Sequence, residues 1–175
     1  MLLPLESGTY ALDRAHSQLT FSVTHLGITP VVGMFTDFDG TLSIGNDAAS
    51  SSLEISAQMS SVSSGNAGRD GHLLGADFFD VENHPTMRFR SSSLAPDGDC
   101  WAIDGDLTVK GVGQPIRLIA TFTGRSIFPM DKKEHIGATA TGTMSRVAAG
   151  VGASIPMSML SDEIPLTVAI QLIKE

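Results

Sequence analysis

Apolar and polar residues alternate along most of this chain. In residues 19–25, Leu-Thr-Phe-Ser-Val-Thr-His, the odd positions form one face and the even positions carry hydroxyl groups. Such alternation predicts a β-strand with one buried face, because successive side chains of a strand point to opposite sides of the sheet. Seven further segments show the pattern, so the sequence predicts about eight strands. These segments are residues 32–44, 53–59, 87–89, 101–109, 116–122, 136–140 and 164–172.

Long strands with one apolar and one polar face favour an antiparallel sheet that closes on itself. A two-sheet sandwich shows the same alternation, so periodicity alone leaves both architectures open. The strand lengths favour the barrel, and so do Gly33, Gly40 and Gly105, because residues without a Cβ suit the bends of a coiled sheet. We therefore predict an all-β fold, an eight-stranded antiparallel β-barrel with a short helical or loop lid.

The apolar face of each predicted strand supplies the candidate wall of the barrel interior. By their alternation, the wall candidates are Phe21, Val23, Met34, Phe38, Ile55, Phe89, Leu107, Phe122 and Val168. His25 shares the parity of Leu19, Phe21 and Val23, so it points the same way. Two interpretations of His25 stay open. It is either a core histidine that donates to a backbone carbonyl or a polar contact inside an apolar cavity.

Residues 60–85 break the alternation and contain four glycines that do not suit a strand interior. The segment predicts at most a short helix around residues 69–74, with Asn66 as its N-cap. Its apolar residues can be buried only if the segment folds over an open end of the barrel as a lid. The lid candidates are Leu73, Leu74, Phe78 and Phe79. A second irregular stretch with few charges spans residues 146–161.

Two basic residues of the lid, Arg69 and His72, are candidates for polar contacts with a ligand. Adjacent Arg69 and Asp70 predict either an ion pair that pins the loop or a guanidinium that faces a ligand head group at the cavity mouth. An enzyme is an alternative, in which His25 or His72 acts as a base and Asp70 orients it. The sequence carries no recognised catalytic motif, and its five histidines are too dispersed for a metal site on one element.

The composition narrows the partners and the setting. A net charge of −8 argues against nucleic acid and anionic membrane surfaces, because both attract basic proteins. The single cysteine, Cys100, excludes an internal disulfide. The N-terminal residues lack a signal-peptide pattern and no apolar run is long enough to span a membrane, so we expect a cytoplasmic protein without stable membrane insertion. The length of 175 residues predicts one domain, residues 1–175.

Three blocks of the sequence, in order, carry a family resemblance. They are residues 12–17 (Leu-Asp-Arg-Ala-His-Ser) with 21–27, residues 69–73 (Arg-Asp-Gly-His-Leu) with 77–81, and residues 105–111 (Gly-Asp-Leu-Thr-Val-Lys-Gly). With these blocks the chain resembles the YceI-like family of polyisoprenoid-binding proteins. The resemblance implies an extended lipocalin-like eight-stranded barrel that holds a long isoprenoid lipid or quinone. It also implies that the chain can form a homodimer.

The chain departs from the family after Arg146, where the family has an acidic and an aromatic residue and this chain has Val147, Ala148 and Ala149. Small side chains there would open that end of the pocket. We expect non-catalytic binding, transport or sequestration of a polyprenyl lipid or isoprenoid quinone, without a cofactor. The alternatives are the enzyme described above and a ligand-free stress or interaction protein whose side chains fill the barrel. The volume of the interior distinguishes a binding protein from the filled barrel.

Overall fold

The computed structural model describes residues 5–175, which contain eleven β-strands, one α-helix and three short 3₁₀ helices. The strands β1 to β11 are Gly8–Leu12, Gln18–His25, Thr29–Phe35, Phe38–Ile44, Ser52–Gln58, Val62–Ser63, Thr86–Asp97, Cys100–Val109, Val112–Ile127, Glu134–Ser145 and Glu163–Lys174. The helix α1 is Ala67–Leu73, and the 3₁₀ helices are Arg14–His16, Ala48–Ser50 and Met59–Ser61. Strands therefore dominate the chain, as the alternation predicts.

The eleven strands make up eight barrel strands, because three of the eight are interrupted. β1 and β2 both pair with β11 and are separated by Arg14–His16. β3 and β4 are separated by residues 36–37, and β5 and β6 by Met59–Ser61. The neighbours stay the same across each interruption, since β4 pairs with β1 and β5 while β3 pairs with β2 and β6.

The barrel closes because its last strand returns to its first. Counted across the interruptions, each barrel strand pairs antiparallel with its neighbours in the chain, and β11 pairs with both β1 and β2. The closing register places Tyr10 opposite Lys174 and Phe21 opposite Leu166. Closure satisfies the backbone groups that an open sheet leaves unpaired at its edges. The prediction of an all-β, eight-stranded antiparallel barrel is confirmed, and the sandwich is excluded.

The two longest connections lie at the same end of the barrel. Residues 64–85, between β6 and β7, contain α1, and residues 146–162, between β10 and β11, form consecutive turns. We call them the first lid and the second lid. In the first lid, the Asn66 side chain accepts a hydrogen bond of 2.9 Å from the backbone N–H of Arg69, so the predicted N-cap is confirmed.

The predicted alternation fails between β3 and β4. Phe35 and Phe38 are three positions apart, yet both are buried. The break at residues 36–37 resets the alternation, because these two backbone N–H groups bond to the carbonyl and hydroxyl oxygens of Ser61. Val32 and Met34 therefore lie on the outer face, with 56% and 39% of their surfaces exposed. The prediction that Met34 lines the interior is wrong for this reason.

Two strand glycines make room for aromatic rings inside the barrel. The ring of Phe21 occupies the space that a Cβ on Gly33 would need, and the ring of Phe89 does the same at Gly105. Gly105 also lies opposite the irregular register between Ser91 and Ser93 in β7. Gly105 therefore belongs to a bend of the sheet, whereas Gly33 serves close packing.

Candidate functional site

A cavity of about 310 Å³ lies at the end of the barrel that the two lids cover, and we call it the lid chamber. Its volume is near the lower limit of small-molecule sites, about 300–1,000 Å³. Strands line it with Phe21, Val23, His25, Val31, Phe35, Met87, Val109, Met144, Ile164 and Leu166. The lids and their flanking residues add Met59, Ser64, Arg69, His72, Leu73, Phe78, Phe79, Arg146, Val151, Ile155, Met159 and Leu160. Apolar side chains from every part of the barrel end thus converge on one space.

Two smaller cavities continue the lid chamber toward the other end of the barrel. The middle void, about 40 Å³, shares Phe21, Phe35 and other wall residues with the lid chamber. The far void, about 70 Å³, shares Ile55, Leu118 and Val168 with the middle void. The interior therefore consists of one chamber and two narrow spaces, rather than a tube of even width or a filled barrel.

A cluster of three phenylalanine rings joins the first lid to the barrel wall. The ring centroids of Phe21 and Phe35 are 5.6 Å apart, and those of Phe35 and Phe79 are 5.9 Å apart. All three rings line the lid chamber, and Phe21 and Phe35 also line the middle void. The cluster therefore stands between the two spaces, and a ligand longer than the chamber must pass it.

Arg146 organises the second lid from within. Its side chain is 3% exposed and lines the lid chamber. It donates hydrogen bonds of 2.5–3.3 Å to the backbone carbonyls of Val151, Gly152, Ile155, Leu160 and Ser161. These bonds use all five N–H groups of the guanidinium. The sequence signal for this role is a single arginine followed by fifteen uncharged residues, 147–161.

Asp162 fixes the two ends of the second lid to each other. Its carboxylate accepts hydrogen bonds from the backbone N–H of Val147 at 2.9 Å and from the hydroxyl of Ser145 at 2.8 Å. These two bonds, with the nearby charge of Arg146, hold the pKa of Asp162 below its ordinary value. The ionised form of Asp162 therefore closes the loop at its base.

Lys110, in the turn between β8 and β9, links the two lids. Its ammonium group donates to the carbonyl of Ala76 in the first lid at 2.6 Å and to that of Gly150 in the second lid at 3.0 Å. The backbone N–H of Gly152 adds a direct bond between the lids, to the carbonyl of Asp77 at 2.7 Å. The cover of the chamber is thus a single hydrogen-bonded unit.

Ser64 holds both charged residues of the Arg69-Asp70 pair. Arg69 donates through Nε to the Ser64 hydroxyl and through one Nη to the Ser64 carbonyl, each at 2.7 Å. The Asp70 carboxylate accepts from the backbone N–H of Ser64 at 2.8 Å and from its hydroxyl. The predicted Arg69–Asp70 ion pair is therefore wrong. The loop is pinned by a serine, and Arg69 lies at the chamber wall with its side chain exposed.

Two histidines, His25 and His72, line the chamber, and both have exposed side chains. His25 is exposed at the end of β2, where its backbone pairs with Leu160, so it is not a core histidine. The ring of His72 meets the ring of Phe78 edge-on, with centroids 4.9 Å apart. Because Asp70 bonds to Ser64, it does not orient either imidazole in the described structure. The arrangement of base and orienting carboxylate that the enzyme alternative needs is not formed.

Among residues 5–175, no three His, Cys, Asp or Glu side chains are placed to hold a metal ion. Within the same range, no helix has the length and apolar character needed to cross a membrane.

Comparison with known proteins places this geometry in a family. The YceI-like domain profile matches residues 10–172. The chain belongs to the YceI-like family. A UPF0312 protein from Shewanella denitrificans is 39% identical to it over 138 residues, which cover 74% of this chain and 71% of that protein.

Solved structures of similar proteins agree with the YceI-like fold. The crystal structure of the Campylobacter jejuni YCEI protein matches with a TM-score of 0.77 at 29% identity, over 87% of this chain and 90% of that one. A polyisoprenoid-binding domain from Saccharophagus degradans shares the fold, with a TM-score of 0.70 at 15% identity, over 95% of this chain and 98% of that one. The resemblance drawn from the sequence blocks is confirmed.

Most of the predicted site residues of this YceI-like chain line one of the three interior spaces, although Phe122 keeps 36% of its surface exposed. The lid chamber contains Phe21, Val23, His25, Arg69, His72, Leu73, Phe78 and Phe79, and the smaller voids contain Ile55, Phe89, Leu107, Phe122 and Val168. Phe38 and Leu74 pack against the core without lining these three spaces. The second lid also lines the chamber, on one side, with residues that the alternation does not predict, namely Val151, Ile155, Met159 and Leu160.

Residues 147–149, where this chain departs from the family, are expected from the sequence to open one end of the pocket but do not line it. Ala149 is fully buried in the core, and none of the three residues lines the lid chamber. The expectation that these small residues open the pocket is therefore wrong. The chamber wall of the second lid comes instead from residues 151–160, which Arg146 holds in place.

Proposed function

We propose that this protein binds a long isoprenoid lipid, either a polyprenyl lipid or an isoprenoid quinone, and carries or sequesters it. The observation that carries the proposal is the lid chamber, an apolar space of about 310 Å³ under a hydrogen-bonded cover. The described fold is shared with the polyisoprenoid-binding domain from Saccharophagus degradans, which supports this class of ligand. The proposed role needs neither a cofactor nor a chemical step.

The succession of the lid chamber and the two smaller voids along the barrel favours a ligand with an extended tail over a compact one. At ~30 Å³ per group, the volume share of a liquid water molecule, the lid chamber has room for about ten methylene-sized groups. Burying ten CH₂ groups contributes ~8 kcal/mol, and association costs at least ~4 kcal/mol, so the lid chamber alone supports at best about millimolar affinity. A tail that passes the phenylalanine cluster into the middle void gains roughly fourfold in affinity with each further CH₂. Affinity should therefore rise with tail length.

A cavity-filling variant tests the proposal. Val23 lines the lid chamber, so Val23→Trp should fill part of it and weaken binding of geranylgeraniol at least tenfold. Val32→Trp is the matched control, because Val32 lies nearby on the outer face with 56% of its surface exposed. Titration of the native protein with geraniol, farnesol and geranylgeraniol should show increasing affinity. Failure of the native protein to bind any of the three would overturn the proposal, as would equal binding by the two variants.

A further inference from the structure

The polar side chains at the lid chamber are all hydroxyl or basic. Five of its lining residues are polar, namely His25, Ser64, Arg69, His72 and Arg146. No aspartate or glutamate lines the chamber, although the chain contains nineteen acidic residues and has a net charge of −8. The lining of this one space is thus opposite in sign to the protein as a whole.

Arg146 gives the chamber a buried positive charge. Its N–H groups donate hydrogen bonds to neutral backbone carbonyls. Among residues 5–175, no carboxylate oxygen lies within 4.0 Å of the Arg146 guanidinium, the distance that defines a salt bridge. Asp162 is the acidic group whose charge interacts with it, but that carboxylate bonds to Ser145 and Val147 and does not line the chamber. Carbonyl dipoles stabilise the guanidinium without cancelling its net charge, and a charge acts more strongly beside an apolar space than in water.

Arg69 offers a donor to a guest at the wall of the same chamber. Two of its nitrogens are bound to Ser64, which fixes the plane of the guanidinium. Its remaining Nη has no hydrogen-bond partner among the described residues. Arg69 is thus held in place by Ser64, whose hydroxyl also bonds to Asp70. Within residues 5–175, Arg69 forms no direct ion pair, and it keeps a free N–H face. Such a fixed fork matches the oxygens of a phosphate or carboxylate.

We infer that the guest of the lid chamber carries an acidic head group, a phosphate or a carboxylate, that binds Arg69 while its apolar tail occupies the chamber. This inference rests on the proposed function and names the head group of the ligand. The described lining of the chamber contains two arginines and no carboxylate. An anionic head group would accept a charge-assisted hydrogen bond from the free Arg69 nitrogen, which an alcohol or quinone oxygen can form only as a weaker, neutral acceptor.

The test compares guests that share one tail. Geranylgeranyl phosphate and geranylgeranoic acid should each bind the native protein at least tenfold more tightly than geranylgeraniol at low salt, a difference of ~1.4 kcal/mol. The preference should fall as salt rises, because the head group meets an exposed arginine. Comparison of the phosphate and carboxylate arms identifies which acidic group binds better. Inorganic phosphate alone should not compete, since it lacks the tail.

Arg69→Gln separates the head group from the tail. The variant should lose the preference for the acidic guests while still binding geranylgeraniol. Arg117→Gln, at an exposed arginine outside the chamber, should keep the preference. Equal native affinities for acid and alcohol would overturn the inference while leaving tail binding intact. An acid preference that survives Arg69→Gln would also overturn it. If none of the geranylgeranyl guests binds, the proposed function fails instead.

Discussion

Replacing Arg146 should release the second lid. In Arg146→Met the five carbonyl acceptors lose their donor, and the two that bond to Nη1, on Val151 and Gly152, are buried. A buried acceptor left without a partner costs about 1–3 kcal/mol, so two of them cost ~4 kcal/mol. For a chain of this length each kcal/mol lowers the Tm by about 2–4 °C, which predicts a loss of about 8–16 °C.

The assay combines thermal unfolding with hydrogen exchange. Exchange should accelerate at the backbone N–H of Gly152, because its bond to the Asp77 carbonyl joins the second lid to the first. Arg117→Met is the control, since the same change on an exposed side chain should leave the Tm and this amide almost unchanged. If Arg146→Met lowered the Tm by less than about 2 °C and left the exchange rate at Gly152 as in the native protein, the role given to Arg146 would be refuted.

Two other contacts of the lids give further predictions. Lys110→Met removes both hydrogen bonds between the Lys110 ammonium group and the lids. The variant should release a bound lipid roughly tenfold faster than the native protein in stopped-flow dilution. Lys133→Met, at the opposite end of the barrel, should leave the release rate unchanged. An unchanged release rate in Lys110→Met would contradict the link between the lids. The pKa of Asp162 is lower in the folded protein than in the unfolded chain, where it is about 3.9. Its ionised form therefore stabilises the fold at pH values above about 3.9, and this stabilisation is lost as the pH falls through the pKa of the folded protein. The difference in Tm between the native protein and Asp162→Asn should therefore be largest near neutral pH and shrink below about pH 4; a constant difference would contradict it.

Alternation predicts the barrel because a strand with one buried face needs an apolar side chain at every second position. It fails at β3 and β4 because residues 36–37 bond to Ser61, a contact made across a distant turn. The residues around Met34 give no sign of that contact, so the alternation wrongly places Met34 on the inner face of the barrel. Residues 8–12 form β1 without having been predicted as a strand, since their two small residues weaken the pattern.

The sequence predicts the part of the candidate site in the first lid, where large apolar residues lie between strands. It does not predict the part in the second lid, whose shape depends on the buried charge of Arg146. Phe78 and Phe79 stand out as large apolar residues in a glycine-rich segment, so their burial over the barrel end follows from the sequence. The second lid has small and medium residues and no repeating pattern. Its shape comes from backbone carbonyls that turn toward Arg146, and backbone direction is not readable from side-chain types.

Native mass spectrometry of the purified protein, before and after addition of geranylgeranyl phosphate, shows whether the lid chamber holds a lipid. Each chain should carry one lipid with a long isoprenoid tail, either retained through purification and identified after extraction or taken up on addition. The lipid should be lost from Val23→Trp and kept by Val32→Trp. A native protein that carries no lipid and shows no mass increase at saturating ligand would contradict the claim that the lid chamber is a binding site.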